Sequence, residues 1–362
     1  MLLRSMLLQL TLLLSLVMLA TPSHSAAPNF AAVTPAKPLL LPNDFGAHPA
    51  FRTEWWYATG WLAMPDGKPL GFQITFFRSA TDHDAANPSA LAPKQLIIAH
   101  VALSDPAVGK LQHDQKAGRE SFDIAYAKAG NTDVKLDNWT LKRASDGSYR
   151  VDIVAREFTL ALKMAPTQLP MLQGDNGISR KGPEAAQASY YYSEPHLQVS
   201  GSVTRKGETA AVSGTAWLDH EWSSTSLHPD AVGWDWVGAN LDNGSALVAF
   251  RIRDKHGAVL WAHVGLRDAS GKIMQFSPDQ VRFTTLRNWR SLRTNAVYPV
   301  ALQIQAGPFT WQILPLQDDQ ELDSRQSTGA IYWEGAVRLT RDGKPVGRGY
   351  LELTGYVKPL KL

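Results

Sequence analysis

The chain has 362 residues, with 36 Lys and Arg against 33 Asp and Glu, 12 Trp and no Cys. The near balance of charge, without a long basic run, gives no basis for a nucleic-acid partner and leaves membrane contact peripheral at most. Without Cys there are no disulfides and no thiolate metal site, so stability must come from core burial.

In chain order, Met1 to Arg4 carries one cation, Leu7 to Ala20 is an almost unbroken apolar run, and Ser23-His24-Ser25 supplies small residues before Ala26. This pattern predicts a secretory signal peptide over 1–25, cleaved after Ser25. The run is short for a membrane span, and no lipobox Cys follows. The expectation is therefore an exported, soluble, periplasmic protein that is not a lipoprotein. Residues 26–43 read as a leader. The Ala- and Pro-rich stretch over 26–50 has no period and is expected to lie on the surface.

From Phe51 onward, period-2 runs alternate with Gly, Asp and Asn turns. Trp55 to Ala63, the turn 64–68 and Leu70 to Arg78 read as a β-hairpin. Val237 to Leu241, Ala246 to Arg253 and Ala258 to Arg267, separated by Asn-Gly and His-Gly turns, read as a meander. A short helix is expected at most near Pro278–Arg282 or Ala185–Ser189. Four segments recur in the same order. Glu54-Trp55-Trp56-Tyr57 matches Gly233-Trp234-Asp235-Trp236, and Ala99-His100-Val101 matches Ala262-His263-Val264. Phe158-Thr159-Leu160 matches Phe309-Thr310-Trp311, and Thr204-Arg205-Lys206-Gly207 matches Thr340-Arg341-Asp342-Gly343. The repeat predicts two similar all-β barrel domains, over 44–222 and 223–362. Their interface is a natural place for a pocket.

The densest chemistry lies at that junction: Trp217-Leu218-Asp219-His220-Glu221-Trp222, then Gly233-Trp234-Asp235-Trp236. Strand alternation sends Asp219 and Glu221 to one face and His220 and Trp222 to the other. We expect His220 and Trp222 to face an aromatic-walled cavity at the seam. A carboxyl there would have its pKa raised by burial and could donate a proton. Aromatic faces could steady a developing cation. The catalytic candidates are His220, Trp222, Asp219, Glu221 and Asp235. Trp55, Trp56, Tyr57, Trp217, Trp234 and Trp236 are candidates for the ligand wall. Glu54 and Arg78 are expected to form a structural ion pair across the first hairpin. His100 and His263, at matching repeat positions, point to a shared structural role. No HxH or HExxH spacing supports a metal site, and none is expected.

The segments Arg52-Thr53-Glu54-Trp55-Trp56-Tyr57, Gly71 to Arg78, Ala216 to Trp222, Gly233 to Trp236 and Glu352 to Tyr356 together resemble the AttH/carotenoid 1,2-hydratase family. The resemblance spans about Leu40 to Lys358. It implies two lipocalin-like barrels and, among its hydratase members, addition of water to a carotenoid end group without a cofactor. It also implies a catalytic His-x-Trp pair, matched by His220 and Trp222, and a Tyr-x-Asp proton donor in a following strand. Val248 to Asp254 carries no such pair. The expected function is therefore an exported protein holding an apolar lipid or terpenoid, in the manner of an accessory to an ABC transport permease. The alternative is a cofactor-free hydratase-type lyase.

Overall fold

The computed structural model describes residues 30–82, 87–89, 92–225 and 227–360. The expected signal peptide lies outside them. Among the described residues no helix is long and apolar enough to cross a membrane.

The N-terminal sheet contains β1 (Thr53–Ala63), β2 (Pro69–Ala80), β3 (Gln95–Ser104), β4 (Leu111–Arg119), β5 (Ala125–Ala127), β6 (Asp133–Leu136), β7 (Trp139–Arg143), β8 (Tyr149–Val154), β9 (Phe158–Ala165), β10 (Met171–Leu172), β11 (Ile178–Arg180), β12 (Ala188–Arg205) and β13 (Glu208–Ser223). The C-terminal sheet contains β14 (Gly233–Leu241), β15 (Ala246–Arg253), β16 (Val259–Arg267), β17 (Ile273–Phe276), β18 (Val281–Arg290), β19 (Val297–Ala306), β20 (Phe309–Pro315), β21 (Glu321–Ser324), β22 (Ala330–Arg341) and β23 (Lys344–Leu353). The described helix is a single 3-10 turn, Pro278–Gln280, at one of the two expected places. The other, at Ala185–Ser189, is a turn that runs into β12.

The strand orders explain the repeat. The first sheet runs β4-β3-β2-β1-β13-β12-β9-β8-β7, then β6-β5; the second runs β17-β16-β15-β14-β23-β22-β20-β19-β18. Aligned by strand order, each pair of recurring segments falls on equivalent strands: β1 with β14, β3 with β16, β9 with β20, and the β12–β13 turn with the β22–β23 turn. The molecule is all-β, with two lipocalin-like sheets in tandem.

Each sheet curls around its own packed interior. Trp56, Phe72, Phe76, Trp139, Tyr149 and Leu160 fill the first, and Trp311, Trp333, Tyr298 and Leu351 fill the second. The outer faces of β1, β2, β3, β12 and β13 meet those of β14, β15, β22 and β23. That seam carries its own apolar cluster of Tyr57, Trp61, Trp217, Trp236, Val248, Phe250 and Tyr350. Gly71 lets the sheets approach, because a Cβ there would stand 2.5 Å from Ala336 Cβ. Trp61 Nε1 donates to Gly349 O at 3.0 Å and Asn240 Nδ2 to Ala216 O at 3.0 Å, fastening the faces.

The leader departs from expectation. Leu39 and Phe45 are buried and pack with Tyr190, Tyr192 and Trp222 over one end of the first barrel. Arg143 sits over the Phe45 ring at 3.7 Å, and Thr132 Oγ donates to Phe45 O at 2.7 Å. A plug needs no periodicity, which is why the stretch reads as surface. Leu39→Ala should lower the unfolding free energy by about 2 kcal/mol in urea denaturation. A surface leader would give a change within about 0.5 kcal/mol.

Candidate active site at the seam

Strand β13 does alternate as its sequence implies, but the faces are exchanged relative to the expected site. Asp219 and Glu221 look into the seam. His220 and Trp222 look away from it, into the first barrel and its leader plug.

A cavity of about 380 Å³ opens between the sheets. Its N-terminal wall is Trp55, Tyr57, Thr75, Phe77, Ile98, His100, Lys181, Tyr191, Asp219 and Glu221. Its C-terminal wall is Trp234, Trp236, Phe250, Ile252, Ala330, Tyr332 and Glu352. The walls are juxtaposed by register. Tyr57 pairs with Asp219 and with Thr75, and Trp55 pairs with Glu221 and Phe77, so their side chains share one face. Gly238 holds Trp236 in place, since a Cβ there would meet the indole at 2.4 Å.

Four expected wall residues, Trp55, Tyr57, Trp234 and Trp236, line this cavity. Two do not. Trp56 is fully buried in the first barrel, stacked on His220 with centroids 4.6 Å apart. Trp217 packs in the seam beside the cavity, against Trp236, and its Nε1 donates to Asp219 Oδ1 at 2.7 Å. Residues that sequence reasoning missed complete the cavity: His100, Lys181, Phe250, Tyr332 and Glu352. They lie far apart in the chain and are gathered only by the pairing of the two sheets. Tyr191 also reaches the cavity and accepts a hydrogen bond from Trp236 Nε1 at 3.1 Å.

The polar groups of the cavity have distinct protonation states. Burial pushes the Asp219 carboxyl up to about 7, against hydrogen bonds from Ser193 and Trp217 that favour its ionised form. Burial likewise raises Glu352 to about 7, against the hydrogen bond from Trp234 Nε1 at 2.7 Å. Glu352 is partly accessible because its face borders the cavity. Glu221 sits beside a cation: Lys181 Nζ lies 2.9 Å away, and Ser189 Oγ donates to it at 2.5 Å. His100 is driven down to about 3 by burial and stays neutral. Its Nδ1 lies 2.8 Å from the Tyr332 hydroxyl, a contact between the two sheets. His263, its repeat counterpart, is likewise driven down by burial, to about 4, and packs against Phe250.

The raised Asp219 has a stability consequence. Its folded pKa exceeds its unfolded value, so the native state holds a proton that the unfolded chain has released. That contribution is complete below about pH 4 and is lost as pH rises through about 7. Asp219→Asn should flatten the fall in unfolding free energy between those limits, by up to about 1.4 kcal/mol per pH unit. Identical slopes for the variant and the parent would contradict the assignment.

Adjoining the cavity, whose edge Glu54 and Arg78 reach, is a relay built around Glu54. Arg78 Nε reaches Glu54 Oε2 at 2.8 Å, so the predicted hairpin ion pair forms, with both side chains buried. His220 Nε2 lies 2.8 Å and His48 Nδ1 2.7 Å from Glu54 Oε1. His48 Nε2 also reaches Asp44 at 3.3 Å, and the ring stacks on Trp222 at 3.7 Å. Burial disfavours the charged form of each group, but hydrogen bonds from His220 and His48 hold the Glu54 carboxyl well below its usual range. Two carboxylate partners raise His48 despite its burial. His220, by contrast, is driven down to about 4 by burial, overriding Glu54. Its Nδ1 can then accept from the Tyr192 hydroxyl at 3.1 Å. The donor atoms of His48, Glu54 and His220 are grouped closely enough to hold a metal ion. They are already bonded to one another, however, and Arg78 supplies the cation, so the cluster reads as a hydrogen-bonded staple between leader and barrel.

Asp235 also leaves the cavity. It points to the other face of β14, between Arg251 at 2.7 Å and Arg253 at 3.0 Å, and accepts from the Tyr356 hydroxyl at 2.9 Å. The two arginines of β15 that follow the repeat motif are thus its ion-pair partners.

The fold and cavity define a class: paired lipocalin-like sheets enclosing an apolar, carboxyl-bearing space at their seam. The chain belongs to the AttH-like family, which it matches over residues 32–356. A solved structure of a Nitrosomonas europaea protein assigned to AttH is 64% identical to it. That match covers 90% of this chain and 100% of the other, with a TM-score of 0.85. Kievitone hydratase from Nectria haematococca is 15% identical, covers 91% of this chain and 97% of its own, and has a TM-score of 0.67. CghA with Sch210972 is also 15% identical, with 92% and 96% coverage and a TM-score of 0.57. At that identity the last two establish the shared fold alone. Among curated proteins, none matches the chain by sequence.

Proposed function

We propose that the protein is a hydratase-type lyase that binds an apolar, unsaturated small molecule in the seam cavity and adds water across a carbon–carbon double bond. The observation that carries this reading is Glu352, a carboxyl at the edge of an aromatic-walled cavity, where burial raises its pKa to about 7 so that much of it keeps its proton near neutral pH. A neutral acid can protonate an alkene carbon. The faces of Trp55, Trp234, Trp236 and Phe250 supply quadrupoles for the cation that results. Asp219, on the opposite wall, is also raised to about 7, and its protonated form can orient water or a ligand oxygen. The cavity suits a small molecule or one end of a longer polyene. His220 and Trp222 act from behind the wall, as part of the Glu54 relay.

The test is incubation with unsaturated terpenoids, including lycopene, in ¹⁸O-labelled water, followed by mass spectrometry. A hydrated product carrying the label, lost in Asp219→Asn and Glu352→Gln, supports the lyase. Binding of the same compounds without labelled product would return the protein to the role of a carrier. Export rests on the Leu7 to Ala20 segment. Fractionation of producing cells is the corresponding test, with recovery of full-length protein in the cytoplasm the contrary result.

A further inference from the structure

A general acid in an apolar cavity must give up its proton and regain it without being stranded as a bare anion. Glu352 has a neighbour suited to that task. Glu334 on β22 is its direct cross-strand partner on β23, which places the two Cβ atoms roughly 5 Å apart on one face. We propose that Glu334 and Glu352 work as one proton-holding pair, in which Glu352 exchanges the proton with the ligand and Glu334 positions and steadies it.

This deepens the hydratase reading and rests on it. Three observations support the pairing. Glu334 is fully buried, and its Oε2 has no hydrogen-bond partner, leaving an oxygen free to face Glu352. Its Oε1 is bonded to the Tyr57 hydroxyl, which fixes the carboxyl from the opposite sheet. Neither glutamate is ion-paired among the described residues. The groups around them are Tyr57, Tyr332, Tyr350 and Trp234, together with Glu221, which is ion-paired with Lys181. Two carboxylates this close in apolar surroundings cannot both ionise readily, so they titrate as a pair in two steps. Burial and Glu352 together raise Glu334 well above the usual carboxyl range.

The step balances without any further reactant. The Glu352 O–H bond breaks as the alkene π pair forms a C–H bond. The new Glu352 carboxylate accepts a hydrogen bond from neutral Glu334. A water lone pair forms the C–O bond, and the proton released from that water returns to Glu352. Glu334 is a positioning residue, because it does not border the cavity itself.

The test is infrared titration of the ligand-free protein, read at the protonated-carboxyl C=O band, for the parent and for Glu334→Gln, Glu352→Gln and Tyr57→Phe. Glu352 ionises first and its charge holds the proton on Glu334, so in Glu352→Gln the Glu334 band should disappear at least about one pH unit lower than in the parent. Tyr57→Phe, which leaves both carboxyls in place, should shift the two-step titration while keeping both steps. An unmoved Glu334 band in Glu352→Gln, survival of the upper step in Glu334→Gln, or ionisation of both groups together below pH 6 would overturn the pair. Because no ligand is present, a paired titration in a protein that never hydrates a terpenoid would sink the lyase reading and leave the pair standing.

Discussion

Arg78→Leu is expected to lower the unfolding free energy by about 3–5 kcal/mol, measured by urea denaturation at pH 7. Arg78 is the cation of the Glu54 relay and is almost completely buried. Besides Glu54, its guanidinium donates to Phe51 O at 2.8 Å, to His48 O at 3.1 Å and to Gln95 Oε1 at 2.7 Å. Removing it strands a buried carboxylate and several acceptors at the end of the barrel that the leader plugs. The cost of an uncompensated buried charge exceeds the net worth of the pair. Changing both members, as Glu54→Gln with Arg78→Met, should therefore cost less than Arg78→Leu alone. The Glu54 carboxylate stabilises the fold above its unfolded pKa of about 4.5, and that share is lost as pH falls. A loss under 1 kcal/mol for Arg78→Leu would mean that the relay is incidental.

The largest expected effect on activity belongs to Glu352→Gln. Loss of a positioned general acid typically removes 10²–10⁴-fold in rate, and turnover should fall by about that factor. Ligand affinity should change little, because glutamine keeps the shape and the contact with Trp234. The acid works only when protonated. The rate of the parent should therefore decline as pH rises through about 7. Equal loss of binding and turnover would instead assign Glu352 to ligand recognition.

Much of this architecture can be read from the sequence, because period-2 runs and Gly turns report strands directly. The four ordered matches locate equivalent strands, and Glu54 and Arg78 are placed opposite each other by the hairpin register alone. The identity of the cavity face is a different matter. Alternation on β13 separates Asp219 and Glu221 from His220 and Trp222, yet both faces of this strand are buried. One faces the barrel interior and one the seam. With aromatic residues on both, composition cannot say which borders open space. Asp235 misleads similarly, since an acid between two tryptophans looks cavity-bound until Arg251 and Arg253 are folded against it. Glu334 and Glu352 sit inside apolar runs 18 residues apart, and only the β22–β23 register brings them together. An acid in an otherwise buried strand was the available signal.

On the proposed reading, the functional space is the seam between the sheets, not the inside of either barrel. Ile98 borders that space without being fully buried, so a larger side chain can grow into it. Titration of the parent protein and of Ile98→Trp with Nile red, followed by fluorescence, shows whether an apolar ligand enters there. Saturable binding by the parent that Ile98→Trp abolishes, with an unchanged circular dichroism spectrum, is the predicted result. Equal binding by both proteins would place the ligand elsewhere and contradict the account.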